Sequence, residues 1–123
     1  MNKLATGIDL IEIERLEGAV ERHGKHFLER IFTTRELAEV GDNLPSLAAR
    51  FAAKEAVTKA LGTGIGQVTW QEIEVLRGQG RAPELHLHGA AENLAEKLML
   101  KTWSISLTHT HTQAIAIVVA MGD

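Results

Sequence analysis

The chain has 123 residues, 45% of them hydrophobic and 24% charged, which suits a single domain over 1–123 able to bury roughly two-thirds of the surface its unfolded form exposes. A formal net charge of −3 gives no basic footprint for nucleic acid, and the absence of cysteine excludes disulfides and thiolate metal sites while fitting a reducing compartment. No apolar run approaches the length of a membrane span and the N-terminus lacks a signal-peptide pattern, so a cytoplasmic location is the expectation.

Leu4 to Ile11 is a short apolar segment around Gly7 and Asp9 and is expected as a buried or half-buried strand. An aspartate near a strand end is more often a turn former or helix cap than a ligand. Here the next helix is expected to begin near Glu12, so a cap role for Asp9 fits poorly. Ile13, Leu16 and Val20 have helical spacing with Arg15 and Arg22 outward, ending at His23-Gly24. Phe27, Leu28, Ile31 and Phe32 form another apolar face, after which Thr34 is expected to cap a short helix that ends at Gly41. Asp42 to Pro45 reads as a loop.

From Leu47 to Leu61 the chain holds only good or neutral helix formers, with Pro45-Ser46 as a start and Gly62 as a stop. Leu47, Phe51, Thr58 and Leu61 share one arc, flanked by Arg50 and Lys54 on one side and by Glu55 and Lys59 on the other. Two readings stand: long cationic stems covering a core edge with Glu55 and Lys59 as a surface pair, or a charged cleft that holds a metal and phosphates. The glycines of Gly62-Thr63-Gly64-Ile65-Gly66 follow this helix rather than precede one. They therefore meet its negative dipole end and read as a C-cap and turn, not as a phosphate cradle.

Val68 to Leu76 alternates and is expected as a strand, turning through Gly78-Gln79-Gly80-Arg81 into a partner strand over Pro83 to Leu87. Ala90 to Leu100 is expected as a helix, and Trp103 to Leu107 and Ala114 to Ala120 as a final hairpin. Helices grouped early and antiparallel strands late make an α+β pattern in which the first strand joins the later sheet. The pairs His86/His88 and His109/His111 each share a strand face, yet no further motif supports a zinc enzyme, and His86 and His88 read best as solvent-facing. Asp9 and Glu55 are the more telling pair, because Mg²⁺ takes one or two protein carboxylates together with substrate phosphates and waters. Arg50, Lys54 and Lys59 nearby then imply a phosphorylated substrate.

Gly7-Ile8-Asp9, the run Arg50-Phe51-Ala52-Ala53-Lys54-Glu55-Ala56 leading through Lys59-Ala60-Leu61-Gly62-Thr63-Gly64, the Gly80-x-x-Pro83 turn and Ser106-Leu107-Thr108-His109 together resemble the short holo-acyl-carrier-protein synthases, which are 4′-phosphopantetheinyl transferases. The resemblance spans about Gly7 to Val119, and Thr108 stands where several relatives carry serine. It implies a 4′-phosphopantetheinyl transferase-like fold, an antiparallel sheet packed by helices that forms homotrimers with sites between subunits. The activity it implies is Mg²⁺-dependent transfer of phosphopantetheine from coenzyme A to a serine of acyl-carrier protein, leaving adenosine 3′,5′-bisphosphate. By match of position, Asp9 and Glu55 would hold the metal, Arg50, Lys54 and Lys59 would pair with phosphates, and Gly64, Thr108 and His109 would line the substrate site. Arg15 would meet the acidic carrier protein. Either Glu55 or a metal-bound water would take the serine proton.

Overall fold

The computed structural model describes residues 2–80 and 82–123. Its elements run β1 (Lys3–Glu12), α1 (Ile13–His23), α2 (Lys25–Ile31), α3 (Thr34–Val40), α4 (Leu44–Leu61), a 3-10 turn (Trp70–Glu72), β2 (Ile73–Arg77), β3 (Pro83–Leu87), α5 (Gly89–Lys97), β4 (Thr102–His109) and β5 (Gln113–Gly122). The architecture is the expected α+β one. A three-stranded antiparallel sheet has the order β1-β5-β4, so the first strand joins the last, and β2 and β3 pair as a separate hairpin.

The helix α4 lies across one face of the larger sheet, and its burial is nearly all-round rather than one-sided. Ala52, Ala53, Ala56 and Ala60 present so little side chain that strand backbones approach closely, and they meet Ala116, Val118 and Ala120 of β5 in the main core. The closest approach is at Gly7 on β1. A Cβ there would overlap the Ala56 carbonyl oxygen and lie 2.8 Å from its carbon and 3.1 Å from the Ala60 nitrogen. Glycine is therefore required at this position for contact between backbones, not for a special dihedral.

The expected seam of Leu47, Phe51, Thr58 and Leu61 is only part of what is covered, because α3 and the β2–β3 hairpin enclose the flank that carries Arg50 and Lys54. Those side chains, with two carboxylates of α3, replace the missing neighbour strand along the free edge of β2. The backbone N–H groups of Val75 and Arg77 donate to Glu36 Oε2 at 2.8 Å and Glu39 Oε1 at 2.9 Å. The carbonyls of Ile73 and Val75 accept from Lys54 Nζ at 2.5 Å and Arg50 Nε at 3.2 Å. Where this edge is buried, at Ile73 and Val75, the groups would otherwise lack partners, at a cost of about 1–3 kcal/mol each.

Several boundaries differ from the sequence reading for local reasons. Thr33 rather than Thr34 caps α3, exchanging hydrogen bonds with Glu36 in a capping box. Asn43 caps α4 by accepting from Ser46 N, which moves Pro45 and Ser46 inside the first turn and shortens the loop before it. The strand expected from Val68 begins only at Ile73, because Thr69 and Glu72 form a second capping box around the 3-10 turn. The helix expected over Ala90 to Leu100 runs Gly89–Lys97. In the expected turn before Pro83, Arg81 lies outside the described residues.

Candidate active site

Asp9 sits on β1 two residues beyond Gly7, and the alternation of the strand puts both on the face turned to α4. The close approach at Gly7 sets Asp9 beside the last turns of that helix. Lys59 Nζ donates to Ile8 O at 2.8 Å and to Asp9 Oδ1 at 3.2 Å, an ion pair open to solvent on the lysine side. Glu55, one turn earlier, is half-buried. Burial raises its pKa, the nearby Asp9 charge adds to that rise, and Lys59 partly offsets it.

Among the described residues no donor hydrogen-bonds the Glu55 carboxylate. Two carboxylates and one lysine thus leave unbalanced negative charge in a partly desolvated place, which suits a hard divalent cation such as Mg²⁺. Among the described residues no three His, Cys, Asp or Glu side chains gather as a ligand set. The histidine pairs do not converge either: His88 Nε2 lies 3.0 Å from Glu74 Oε1 and His86 Nε2 lies 3.6 Å from Glu84 Oε1.

Asp9 and Glu55 open onto a cavity of about 490 Å³ that Arg15, Arg22, Leu16, Phe27 and Phe51 also line. Arg15, uninformative by its local sequence, is thereby joined to the carboxylate pair by α1. Arg22 and Phe27 were not singled out by sequence. The seven-residue spacing from Arg15 to Arg22 is the signal that places both on one face of α1.

The remaining candidates lie elsewhere on the chain. Arg50 is buried and lines a second cavity, of about 590 Å³, with Arg77, Gly78, Gly80, Pro83 and Ser106. This cavity shares no lining residue with the first. Thr108 and His109 end β4, with His109 in register with Ala114, the β5 partner of Ile11. Both are exposed, and His109 Nδ1 is 3.3 Å from Thr110 O. Gly64 is exposed beyond Gly62, whose left-handed φ of 71° and N–H bonds to the Thr58 and Lys59 carbonyls make it the helix C-cap.

Lys54 departs from expectation. Its side chain is wholly buried, and its ammonium donates to Glu36 Oε1 at 2.8 Å, Trp70 O at 3.0 Å and Ile73 O at 2.5 Å, so all three hydrogens are committed. Burial lowers its pKa, against which Glu36 acts by charge and hydrogen bond. A phosphate-pairing role does not fit this placement. Helical periodicity put Lys54 at a cleft edge, and the α3 and β2 layers that cover it come from other parts of the chain.

The 4′-phosphopantetheinyl transferase superfamily matches residues 5–118. The holo-[acyl-carrier-protein] synthase of Herpetosiphon aurantiacus is 50% identical over 126 residues, covering 97% of this chain and 99% of the relative. Among solved structures, that of the Helicobacter pylori holo-[acyl-carrier-protein] synthase in complex with coenzyme A has a TM-score of 0.85 at 34% identity, covering 94% of this chain and 98% of that one. The Bacillus anthracis holo-(acyl-carrier-protein) synthase in complex with CoA (3′,5′-ADP) has a TM-score of 0.78 at 34% identity, covering 97% and 96%. With the Gly7-to-Asp9 strand, the Lys54-Glu55 helix and most of the β1-β5-β4 sheet falling within residues 5–118, the chain belongs to the 4′-phosphopantetheinyl transferase superfamily.

Proposed function

We propose that this protein transfers the 4′-phosphopantetheine group from coenzyme A to a serine of apo-acyl-carrier protein, leaving adenosine 3′,5′-bisphosphate, in support of fatty-acid or related biosynthesis in the cytoplasm. The observation that carries the reading is the meeting of Asp9, Glu55 and Lys59 at the β1–α4 contact, in a chain 50% identical to a holo-[acyl-carrier-protein] synthase.

Asp9 and Glu55 are the residues that would hold Mg²⁺, which when bound neutralises charge on the coenzyme's pyrophosphate. Lys59, held at Asp9 yet half-exposed, supplies a positive charge beside that phosphate. Arg50 binds a phosphate from the wall of the second cavity, and Thr108, His109 and Gly64 complete the substrate site. We assign the serine proton to Glu55, a half-buried carboxylate that stands beside Asp9. Such a transfer needs positioned charge more than covalent chemistry, which is what this residue set offers. Arg15 and Arg22 stand at the mouth of the Asp9/Glu55 cavity, where an acidic carrier would dock.

The active assembly is a homotrimer. Two features support it: the candidate residues are divided between separate cavities on one protomer, and the sheet face opposite α4 is uncovered. On that face Leu4, Ile8 and Leu10 of β1 stand beside Ile117, Val119 and Met121 of β5, with Leu4 73% and Ile8 57% exposed. Apolar patches of this kind mark contact surfaces.

Incubating apo-acyl-carrier protein with this protein, coenzyme A and Mg²⁺ tests the activity by mass spectrometry. A gain of one phosphopantetheine mass is expected; no gain with any of several carriers refutes the reading.

A further inference from the structure

The cavity at the turn of the β2–β3 hairpin holds an unbalanced charge that the sequence reading did not find. Its lining, among the described residues, contains the guanidinium groups of Arg50 and Arg77 and no carboxylate. Among the described residues, Glu39, from α3 behind them, joins the two. Its carboxylate accepts from Arg77 N at 2.9 Å and sits 3.5 Å from Arg50 Nη2, while its backbone carbonyl accepts from Arg77 Nη2 at 3.0 Å.

We propose that Arg77 is a second anion-binding residue paired with Arg50, and that Glu39 is the positioning residue that holds both guanidiniums toward one phosphate group of the coenzyme.

Three observations converge on this. Arg50 is fixed at both ends, with Nε on Val75 O and Nη2 on Glu39, so its remaining donor atoms are presented rather than free to rotate. Arg77 ends β2 at the turn and is exposed, with a free arm beside its tether to the Glu39 carbonyl. Burial lowers the pKa of Arg50, Glu39 and Glu36 resist that fall, and the like charge of Arg77 adds to it, as expected where a further anion would be welcomed. The volume, about 590 Å³, lies within the usual range for small-molecule sites. Planar guanidiniums held in a fixed fork suit a phosphate better than a lone lysine would.

The assignment rests on the coenzyme reading above, and its test separates the two. Adenosine 3′,5′-bisphosphate is titrated by calorimetry into the full-length wild type and the Arg77→Met, Arg77→Lys and Glu39→Gln variants, and KM for coenzyme A and for carrier protein is measured in parallel. Arg77→Met is expected to weaken the bisphosphate and raise the coenzyme KM about tenfold. The carrier KM and kcat stay within about twofold, Arg77→Lys recovers part of the loss, and Glu39→Gln loses affinity in the same direction. Wild-type affinity in Arg77→Met, or equal loss toward coenzyme and carrier, overturns the arginine pair. An unaltered Glu39→Gln overturns the positioning role. A wild type that binds the bisphosphate through Arg77 but transfers nothing contradicts the transferase reading and leaves the anion site standing.

Discussion

Lys54 Nζ lies 2.8 Å from Glu36 Oε1, with both side chains fully buried. Glu36 also accepts from Thr33 N and Val75 N, and the Lys54 ammonium also reaches two carbonyls and stands 5.6 Å from the centre of the Phe32 ring. One ion pair thus ties α3, α4, the 3-10 turn and β2 together. Its chemistry is that of a strand edge completed by side chains, and it frees the outer face of α4 for Glu55 and Lys59.

Removing one partner leaves the other charge buried and unpaired, so Lys54→Met is expected to cost about 3–5 kcal/mol of stability. Urea unfolding measures this. Pairing Lys54→Met with Glu36→Gln should cost less than the sum of the two single changes, because the stranded charge is gone. A loss below about 1 kcal/mol in Lys54→Met, the range of exposed ion pairs, would contradict the buried role.

Gly7→Ala places a methyl group against the Ala56 carbonyl. The backbone on both sides must move, and a loss of about 1–3 kcal/mol is expected from overpacking of this kind. Since Asp9 shares that face of β1, divalent-cation affinity measured directly with Mn²⁺ should fall as well. Gly122→Ala, which would overlap the Met99 carbonyl at the other end of the sheet, is the control expected to lose stability without losing cation affinity. Equal cation affinity in Gly7→Ala and wild type would remove Gly7 from the positioning of Asp9.

The elevation of Glu55 has a defined sign. Its folded pKa lies above its unfolded one, so between the two values the native state binds more protons, and stability falls as pH rises through that window. Glu55 in its ionised form therefore costs stability at neutral pH. Glu55→Gln is expected to match or exceed wild-type stability at pH 7, while a bound divalent cation stabilises wild type and not the variant. Glu74 acts in the opposite direction. Burial raises its pKa, but hydrogen bonds from Thr33 and His88 and the charge of Arg35 outweigh this and leave it lowered, so its contribution is present above the unfolded value and lost as pH falls through the folded one. Thermal melts from pH 3 to 7 on Glu55→Gln and Glu74→Gln distinguish the two slopes; parallel curves for both variants would contradict them.

The uncovered sheet face predicts self-association. Ile117 stands at the centre of it, beside Ile8 on β1 and Ser106 on β4. Sedimentation of the wild type should give a trimer, and Ile117→Asp should give a smaller species. A monomeric wild type with full transferase activity would contradict the shared-site reading.

Much of this was legible in the sequence where the signal is local. Helical spacing gave α1 and α4, alternation gave β4 and β5, and Gly62 gave the end of α4. The C-cap read from the order of glycines after that helix is found at Gly62. What was hidden depends on layers brought from afar. Lys54 and Glu36 are eighteen positions apart, and nothing in either segment states that one cancels the other's charge in a dry interior. Val68 to Leu76 read as one alternating strand, yet Glu72 caps a 3-10 turn and Glu74 is buried among Thr33, Arg35 and His88. Asp9 and Glu55 carried their meaning only as a pair, and the contact that joins them runs through a glycine whose reason is the missing side chain.

The most direct test measures transfer of phosphopantetheine to apo-acyl-carrier protein by mass spectrometry, with Mg²⁺ present, for wild type, Asp9→Asn and Glu55→Gln, each checked for folding by circular dichroism. Wild type should add one phosphopantetheine mass, and each variant should be slower by about a hundredfold or more while remaining folded. Wild-type rates in both variants would contradict the assignment of Asp9 and Glu55 as the reacting centre.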